Sequence, residues 1–252
     1  MKSKPLLPYE YRFCNDQFSS WGCRLFLIIL CLSSFSISAK SQEVINALPR
    51  WMVSTHFTYM IPQEPLKTFS HQGNAGFLVE AQYRVQYNKP FLAGIYYGES
   101  GVSHYAFDYT STDGIDIRER AITRRIEPGI TAGFYPEINW LLQPYLQGHA
   151  GLAMFKTSSI LKDTDSQEEI ERISENTSAA PVYGLDLGIH IVPNIWYLRG
   201  DVRIGVSGNT SAEYMLLDED EIGTTGFPID YFNTYTSAGK WLKISAGISY
   251  LF

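Results

Sequence analysis

Apolar and polar side chains alternate along residues 240–252, at the end of the chain. The first set comprises Leu242, Ile244, Ala246, Ile248, Tyr250 and Phe252, and the second comprises Lys243, Ser245, Gly247 and Ser249. Successive side chains of an extended strand point to opposite faces, so residues spaced by two share a face. The pattern therefore predicts a β-strand with one apolar face and one polar or small face.

The same two-faced pattern recurs upstream, in segments near residues 51–60, 75–87, 91–98, 125–134, 140–154, 183–191 and 196–206. The connections between consecutive segments alternate between long and short, which is the order that an up-and-down meander produces. Segments of about 9 to 11 residues are long enough to cross a tilted hydrocarbon layer. The sequence therefore predicts an all-β fold, an eight-stranded antiparallel up-and-down transmembrane β-barrel.

The connections and the prolines carry further expectations. Residues 99–121, 156–180 and 207–239 are predicted to form long loops, with a short helix near Ile170 and Ile173. Pro128 and Pro144 fall inside predicted strands, where proline lacks the N–H that a β-ladder needs. We expect a bulge or a local widening of the sheet beside each of them.

Aromatic residues cluster at both ends of the apolar face. One end carries Trp51, Tyr87, Phe91, Phe134, Trp140, Trp196, Tyr250 and Phe252, and the other carries Tyr59, Phe77 and Tyr183. Aromatic rings at the two interfaces of a bilayer are typical of membrane barrels. The apolar face is therefore predicted to contact lipid. The alternative is a soluble, calycin-like barrel whose apolar face points inward.

Residues 1–41 are predicted to be a signal peptide that is removed, and residues 42–252 to be the barrel. Arg24 precedes a short apolar run, and Ala39 and Ser41 provide small side chains before a cleavage site at Gln42. All three cysteines lie in this leader. The exported chain is therefore expected to hold its fold without disulfides.

Charge and strand number restrict the partners and the location. The leader contains five basic and two acidic residues of the totals of 20 and 26, which leaves 15 basic and 24 acidic side chains. A nucleic-acid partner would need a basic stripe and is not predicted. An even number of strands puts both termini on one side. We therefore expect a bacterial outer-membrane protein with periplasmic termini and its long loops outside.

The terminal residues carry a family resemblance. Phe252 in last place, preceded by Tyr250, Ile248 and Ile244 on the same face, resembles the assembly signal of bacterial outer-membrane barrels. The chain from Gln42 onward is similar to the small OmpA/OmpX-like barrels, and Gln42 with the 17 tyrosines resembles members from Bacteroidetes. The resemblance implies that the barrel assembly machinery recognises Ile244, Ile248, Tyr250 and Phe252. It also implies surroundings of outer-membrane lipid and lipopolysaccharide.

Charged residues on the opposite, inward face form a nearly balanced set. This set comprises His56, Glu80, Arg84, Arg125, Glu127, His149, Asp186, His190, Arg199, Asp201, Arg203 and Lys243. An eight-stranded barrel is just wide enough for side chains to fill its interior, and buried charges require partners. We therefore predict a closed lumen with a polar network. A narrow pore is the alternative.

No catalytic, metal-binding or cofactor-binding site is predicted. The three inward histidines lack local ligand spacing, and Ser103 and His104 are neighbours on a strand, so they point to opposite faces. The expected function is a structural or interaction role, as an accessory subunit of an envelope or secretion complex. Tyr231, Phe232 and Tyr235 in the last loop are the predicted contact residues. The alternative for these three residues is that they extend a strand above the membrane. An outer-leaflet lipid-modifying enzyme is the alternative.

Overall fold

A computed structural model describes residues 50–64, 66–68, 73–86, 89–110, 116–136, 141–164, 166, 168–192, 197–217 and 228–252. The strands are β1 (Trp51–Gln63), β2 (Asn74–Arg84), β3 (Phe91–Thr110), β4 (Asp116–Phe134), β5 (Leu142–Asp163), β6 (Glu169–Ile191), β7 (Leu198–Leu217) and β8 (Phe232–Leu251). Two short 3₁₀ helices occupy Leu66–Thr68 and Pro228–Tyr231. Each strand pairs antiparallel with the next, and β8 pairs with β1, so the described strands close into one up-and-down barrel. The predicted fold class is confirmed.

Some predicted features lie outside the described residues. These are the signal peptide at residues 1–41 and the aromatic residues Tyr87, Trp140 and Trp196. Among the residues that the structure does describe, no helix is long and apolar enough to cross a membrane. The end of the barrel that holds Trp51 and Phe252 is called the terminal end below, and the opposite end is called the extended end.

The barrel is apolar outside and polar inside. On the outward face Phe57, Ile95 and Ile130 are 62 %, 64 % and 64 % exposed, respectively. On the inward face Gln82 and Asp186 are 0 % and 1 % exposed. This is the reverse of a soluble barrel, in which the apolar face would be buried, and it matches a barrel surrounded by lipid. The calycin-like alternative is therefore wrong.

Aromatic side chains lie at the terminal end of the outward apolar band. The rings of Trp51 and Tyr83 are 4.9 Å apart between centroids, and those of Phe91 and Phe134 are 5.3 Å apart. Tyr59 and Tyr183, 41 % and 62 % exposed, lie toward the extended end. Rings at both edges of an apolar band give the barrel the two aromatic belts that membrane interfaces favour.

The predicted long loops are wrong, because strands run through most of them. Only residues 111–115 separate β3 from β4, and β6 begins six residues after β5 ends. β5 and β6 contain 22 and 23 residues, whereas β1 and β2 contain 13 and 11. The predicted helix near Ile170 and Ile173 is wrong for the same reason, since both residues belong to β6.

Beyond the barrel the wall divides into two parts. The ladder between β2 and β3 ends at Gly76 and Ser100, and the ladder between β6 and β7 ends at Val182 and Asn209. Strands β3 to β6 continue past these points as a four-stranded sheet, and β7 and β8 continue as a hairpin. These two parts together are called the extension.

Pro181 lies where β6 parts from β7. The amide of Val192 donates to the carbonyl of Leu141, so even-numbered residues in this half of β6 face β5 and odd-numbered ones face β7. Pro181 therefore faces β7 but has no N–H to donate. Its position next to the last β6–β7 pair gives a local reason for the ladder to end there.

The two strand prolines behave differently. Glu127 and Pro128 have no partners in the β4–β5 ladder, although the pairing resumes in the same register at Gly129 and Gly151. This is the local widening that the sequence predicts. The expected distortion at Pro144 is wrong, because its pairing with β6 is regular. Pro144 faces β4, and it lies beyond the last β4–β5 pair, so its missing donor is not needed there.

Candidate functional site

Side chains from three strands in different parts of the wall meet at the centre of the lumen. Arg203 on β7 donates from Nη1 to both carboxylate oxygens of Glu80 on β2, at 3.1 and 3.2 Å. The same nitrogen donates to Oε1 of Gln147 on β5 at 3.2 Å, and the Gln147 amide donates to Glu80 at 2.9 Å. All three side chains are at most 3 % exposed. Their charge-assisted bonds therefore bridge the lumen from wall to wall.

A second group surrounds the carboxylate of Asp201. The hydroxyl of Tyr145 donates to Asp201 at 2.7 Å, and Nε2 of His190 lies 3.1 Å from it. Nε2 of His56 lies 3.2 Å from the same carboxylate, while Arg203 Nη2 donates to Nδ1 of His56 at 3.2 Å. Because Nδ1 accepts this bond, the imidazole proton of His56 sits on Nε2, which is the ring nitrogen beside Asp201. This group is thereby joined to the central one through Arg203.

A third group lies toward the extended end. Lys243 donates to Asp186 at 2.9 Å, and Nδ1 of His149 lies 3.3 Å from the same carboxylate. Glu127 lies 2.6 Å from Nη2 of Arg125 and 4.0 Å from Nε2 of His149. Each buried charge in this group has an opposite charge beside it, which is the condition for burying charges without a large penalty.

The structure places most of the predicted lumen residues in these groups. Ten of the twelve are buried, namely His56, Glu80, Arg84, Arg125, His149, Asp186, His190, Asp201, Arg203 and Lys243. Glu127 and Arg199 are half-buried. Arg84 donates to the carbonyl of Lys89 at 2.7 Å, so it ties down the turn between β2 and β3.

Tyrosine hydroxyls were missed as members of the network. Tyr96 donates to Glu127 at 2.9 Å, and Tyr135 donates to Gln147 at 2.8 Å. Tyr96 and Tyr145 occupy inward positions of the strand alternation, and this signal could have identified them. Tyr135 follows the last residue of β4, where the alternation no longer specifies a face.

Inward glycines make room for the larger members. A Cβ atom at Gly188 would overlap the ring of Tyr145, and a Cβ atom at Gly205 would overlap the carboxylate of Asp186. The two glycines lie directly opposite Tyr145 and Asp186 in the neighbouring strands. The small residues of the polar face are thus part of the packing of the lumen.

An apolar cluster caps the network at the terminal end. It is called the terminal-end cluster and consists of Met52, Leu92, Tyr135, Tyr145 and Leu251. The rings of Tyr135 and Tyr145 stack at 4.8 Å. His190 stacks on the first of these rings at 5.5 Å. The base of the lumen is therefore filled by rings that also hydrogen-bond to the network above them.

A larger apolar cluster lies at the extended end. This extended-end cluster contains Met60, Leu66, Val102, Ala153, Phe155, Ala180, Val182, Ala212, Tyr214, Leu216 and Trp241. Hydrogen bonds tie the β7–β8 hairpin to the opposite wall. The hydroxyl of Thr123 donates to the carbonyl of Met215 at 2.7 Å, and the amide of Leu217 donates to Ser103 Oγ at 3.1 Å. The hairpin therefore leans across the mouth of the lumen and packs on the inner face of the sheet.

The predicted loop contact residues are not exposed aromatics. Tyr231 and Phe232 are 8 % and 5 % exposed, and Tyr235 packs against the extended-end cluster. The ring of Tyr231 meets that of Tyr105 edge-on at 5.6 Å. The expectation of free aromatic side chains is wrong at these positions, because the hairpin turns them toward the interior.

The four residues of the predicted assembly signal lie on one outward face, three of them in β8 and Phe252 directly after it. Ile244 and Ile248 are each 43 % exposed, and Phe252 is 59 % exposed. The ring of Tyr250 lies 5.8 Å from that of Phe252. The amide and carbonyl of Phe252 form hydrogen bonds of 3.0 and 2.8 Å with Trp51, which help to join the first and last strands at the terminal end. Their role in assembly stays a prediction.

The inverted burial pattern, the closed ladder and the aromatic belts decide the architecture. The chain has the fold of a small outer-membrane β-barrel. Its Bacteroidetes type stays a prediction from the sequence.

Among the solved structures similar to this barrel are outer-membrane proteins. They include neisserial surface protein A (11 % identity, TM-score 0.42, covering 80 % of this chain and 97 % of that one). Another is Ail, the attachment invasion locus protein of Yersinia pestis (13 % identity, TM-score 0.34, covering 81 % and 99 %). A third is OprG from Pseudomonas aeruginosa (11 % identity, TM-score 0.40, covering 82 % and 97 %). Neither a protein-family model nor a curated protein sequence matches the chain. At these values the similarity does not bear on function.

The barrel separates Ser103 and His104, the neighbouring residues that could suggest a nucleophile and a base. Ser103 Oγ is turned inward and accepts the amide of Leu217, whereas His104 lies on the exposed outward face. Among the described residues, no three His, Asp or Glu side chains form a group that could hold a metal ion.

Two carboxyl groups of the extension have pKa values that are shifted in opposite directions. Two hydrogen bonds from Arg118, of 2.7 and 2.9 Å, lower the pKa of Asp108 on the outward face. Burial raises the pKa of Glu119 on the inward face, and nearby Asp230 adds to the rise. Ser159 donates to one Glu119 oxygen at 3.1 Å, while the other is buried and has no hydrogen-bond partner within the described part of the chain.

Proposed function

We propose that the chain is an integral outer-membrane barrel with a closed lumen and a structural and interaction role. In this proposal both termini lie in the periplasm, and the extension projects from the cell. Lipopolysaccharide and other outer-membrane lipids surround the wall. The interaction role is that of an accessory subunit in an envelope or secretion complex. It is carried by strands rather than by the long loops that the sequence suggests.

The observation that carries the closed lumen is the Arg203–Glu80–Gln147 bridge between β7, β2 and β5. An eight-stranded barrel leaves little space beyond its own side chains. The bridge fills the middle of that space, and the two apolar clusters lie at its ends. The inward charges therefore neutralise one another and do not line a water-filled path through the barrel.

Planar-bilayer recording tests this closure. We expect the purified full-length barrel to give no stable stepwise conductance, because the central bridge spans the lumen. A Glu80→Ala/Arg203→Ala variant removes the two charged side chains of the bridge and provides the comparison. Stable steps from the unmodified protein would overturn the closed lumen and favour the narrow pore.

The observation that supports an interaction role is one edge of the four-stranded sheet in the extension. The β2–β3 ladder ends at Ser100, so residues 101–110 of β3 pair only with β4 among the described strands. An edge of this kind offers backbone N–H and C=O groups to an added strand. His104, Ala106 and Asp108 along this edge are exposed. A partner that supplies an extended segment would complete the sheet there.

Site-specific photocrosslinking in cells tests the edge. A crosslinking residue at Ala106 should yield one discrete protein adduct, because a strand bound at the edge would lie beside it. The matched control is Ala132, which is also exposed on an outward face but lies in the lipid band of β4. Equal adducts from both positions, or none from Ala106, would reject an edge-bound partner.

The barrel assembly machinery is the proposed partner during insertion. Deleting Phe252 should lower the yield of heat-modifiable barrel far more than Phe91→Ser, which changes another exposed ring at the same end of the barrel. Equal yields from the two variants would assign Phe252 to the aromatic belt alone.

A further inference from the structure

Basic side chains collect on the outward face of the extension. Directly paired residues of a sheet share a face, and the β4–β5 ladder pairs Arg124 with Lys156 and Arg118 with Lys162. Ile160 pairs with Arg120 on one side and with Arg172 on the other. Six basic residues therefore lie on the face that continues the lipid-facing surface of the barrel.

Acidic residues on this face are fewer. Among the described residues of the sheet they are Glu99, Asp108, Asp116 and Glu169, four against six. Arg118 binds Asp108, Arg172 binds Glu169, and Arg124 lies 3.4 Å from Glu99. The outward face therefore keeps an excess of positive charge. In line with this, burial and the positive charge of Arg120 lower the pKa of His104 on the same face.

Arg124 and Lys156 form the part of this face that lies next to the membrane. They follow the outward apolar pair Ile126 and Met154 by one outward position on each strand. Like charges placed directly opposite each other on a sheet repel, so this pairing is unfavourable without an anion. Lys156 is exposed and has no ion-pair partner among the described residues. In the same part of the chain, the only ion-pair partner of Arg124 is the half-exposed Glu99.

The distance of Arg124 and Lys156 from the aromatic belt places them within reach of lipid head groups. Arg124 lies four residues beyond Pro128, which pairs with Tyr97, and Tyr97 packs near the belt residue Phe77 at 6.2 Å. At about 3.3 Å per residue and a strand tilt near 40°, this is roughly 10 Å along the membrane normal. The long stems of Arg and Lys can reach back over such a distance to the head-group layer.

We propose that Arg124 and Lys156 bind a phosphate group of an anionic lipid in the surrounding leaflet. Two cations that face each other across adjacent strands can contact one phosphate from both sides, and the anion relieves their repulsion. The neighbouring basic residues raise the local potential around it. The proposal goes beyond the closed lumen and the interaction edge, and it depends on neither.

Native mass spectrometry of the full-length barrel in detergent tests this site, with phosphatidic acid as the probe and phosphatidylcholine as the zwitterionic reference. We expect the unmodified barrel to retain phosphatidic acid selectively. An Arg124→Gln/Lys156→Gln variant should bind it roughly thirtyfold more weakly, since each basic residue near an anionic lipid surface contributes about a fivefold step. Heat-modifiable migration confirms that each variant is folded before binding is measured.

Lys240 provides the matched control. It is exposed on the outward face of β8 near the extended end of the barrel, but its cross-strand partners are Gln63 and Gly208, and neither is basic. Lys240→Gln should leave phosphatidic acid binding unchanged, whereas Lys156→Gln should weaken it and Lys156→Arg should preserve it. If Lys240→Gln and Lys156→Gln weaken binding equally, general charge attraction replaces the site. If inorganic phosphate displaces the lipid at equal concentration, a site for free phosphate replaces a lipid site.

Discussion

Strands β3 to β8 run from the barrel into the extension, and the two parts hold opposite kinds of side chain inside. Within the barrel part of β4, buried Thr131 points inward and Ile130 points outward, 64 % exposed. Further along the strand, fully buried Ala121 points inward and Arg120 points outward. The backbone alternation is the same in both parts. The medium outside, lipid or water, decides which face is apolar.

The two interiors are therefore held together by different interactions. In the barrel, buried charges are stabilised by one another, and each becomes a liability when its partner is removed. In the extension, the core is the extended-end cluster, whose stability comes from buried apolar area and close packing. The effects of substitutions in the two parts should differ in magnitude, in how far they spread through the structure and in how they depend on pH.

The largest effect is expected at the centre of the lumen. Glu80→Ala would leave Arg203 buried without its main counter-charge, and losing one partner of a buried pair costs about 3–5 kcal/mol. The denaturant midpoint of the whole barrel in lipid vesicles should fall accordingly. Glu80→Leu/Arg203→Met removes both charges and should recover much of the loss. A double variant less stable than Glu80→Ala would contradict this account.

A smaller and local effect is expected in the extension. Leu216 is 1 % exposed, and a buried Leu→Ala change costs about 2–5 kcal/mol. Because Leu216 lies beyond the β6–β7 ladder, the loss should loosen the β7–β8 hairpin and leave the barrel intact. Amide exchange should rise in residues 210–217 and 232–239, with heat-modifiable migration unchanged.

Leu185→Ala is the matched control for that prediction. Leu185 lies on the lipid-facing side of β6 and is 51 % exposed. Its truncation should leave exchange in the hairpin as it is. Unfolding of the whole barrel by Leu216→Ala would show that the extension and the barrel form a single cooperative unit.

The difference between the two regions also explains what the sequence could reveal. Within the barrel one face meets lipid and the other is closed off, so a period of two is imposed on every strand. The eight segments and most of the inward charged residues, from His56 to Lys243, could be read from that period. The hydroxyls of Tyr96 and Tyr145 escaped notice because aromatic residues are also typical of the opposite face.

Apart from the alternative of a strand extension at residues 231–235, the extension was not predicted, because its strands lack a single period. Residues 169–175 of β6 are exposed on both faces. Because neither face is buried, apolar and polar residues do not alternate there, and the segment is as polar as a loop. Tyr231 and Phe232 are buried only because the hairpin crosses the mouth of the lumen. That crossing depends on long-range bonds such as Thr123 to Met215, which no local pattern encodes.

The smallest effect, and the one that separates the two faces of the extension, concerns pH. Burial raises the pKa of inward Glu119, so this group opposes folding of the extension as pH rises through and above its usual pKa. Hydrogen bonds from Arg118 lower the pKa of outward Asp108, so that group stabilises at neutral pH and loses its contribution as pH falls. Glu119→Gln should therefore stabilise the extension at neutral pH.

Asp108→Asn should destabilise it there, by less than about 1 kcal/mol because that ion pair is exposed. The measurement is amide exchange in β3 and β4 beyond Ser100, corrected for intrinsic rates, at neutral and mildly acidic pH. Acidification should reduce the difference between each variant and the unmodified protein, from opposite directions. If both variants shift exchange in the same direction, burial and ion pairing do not distinguish the two faces, and the contrast between the interiors would rest on packing alone.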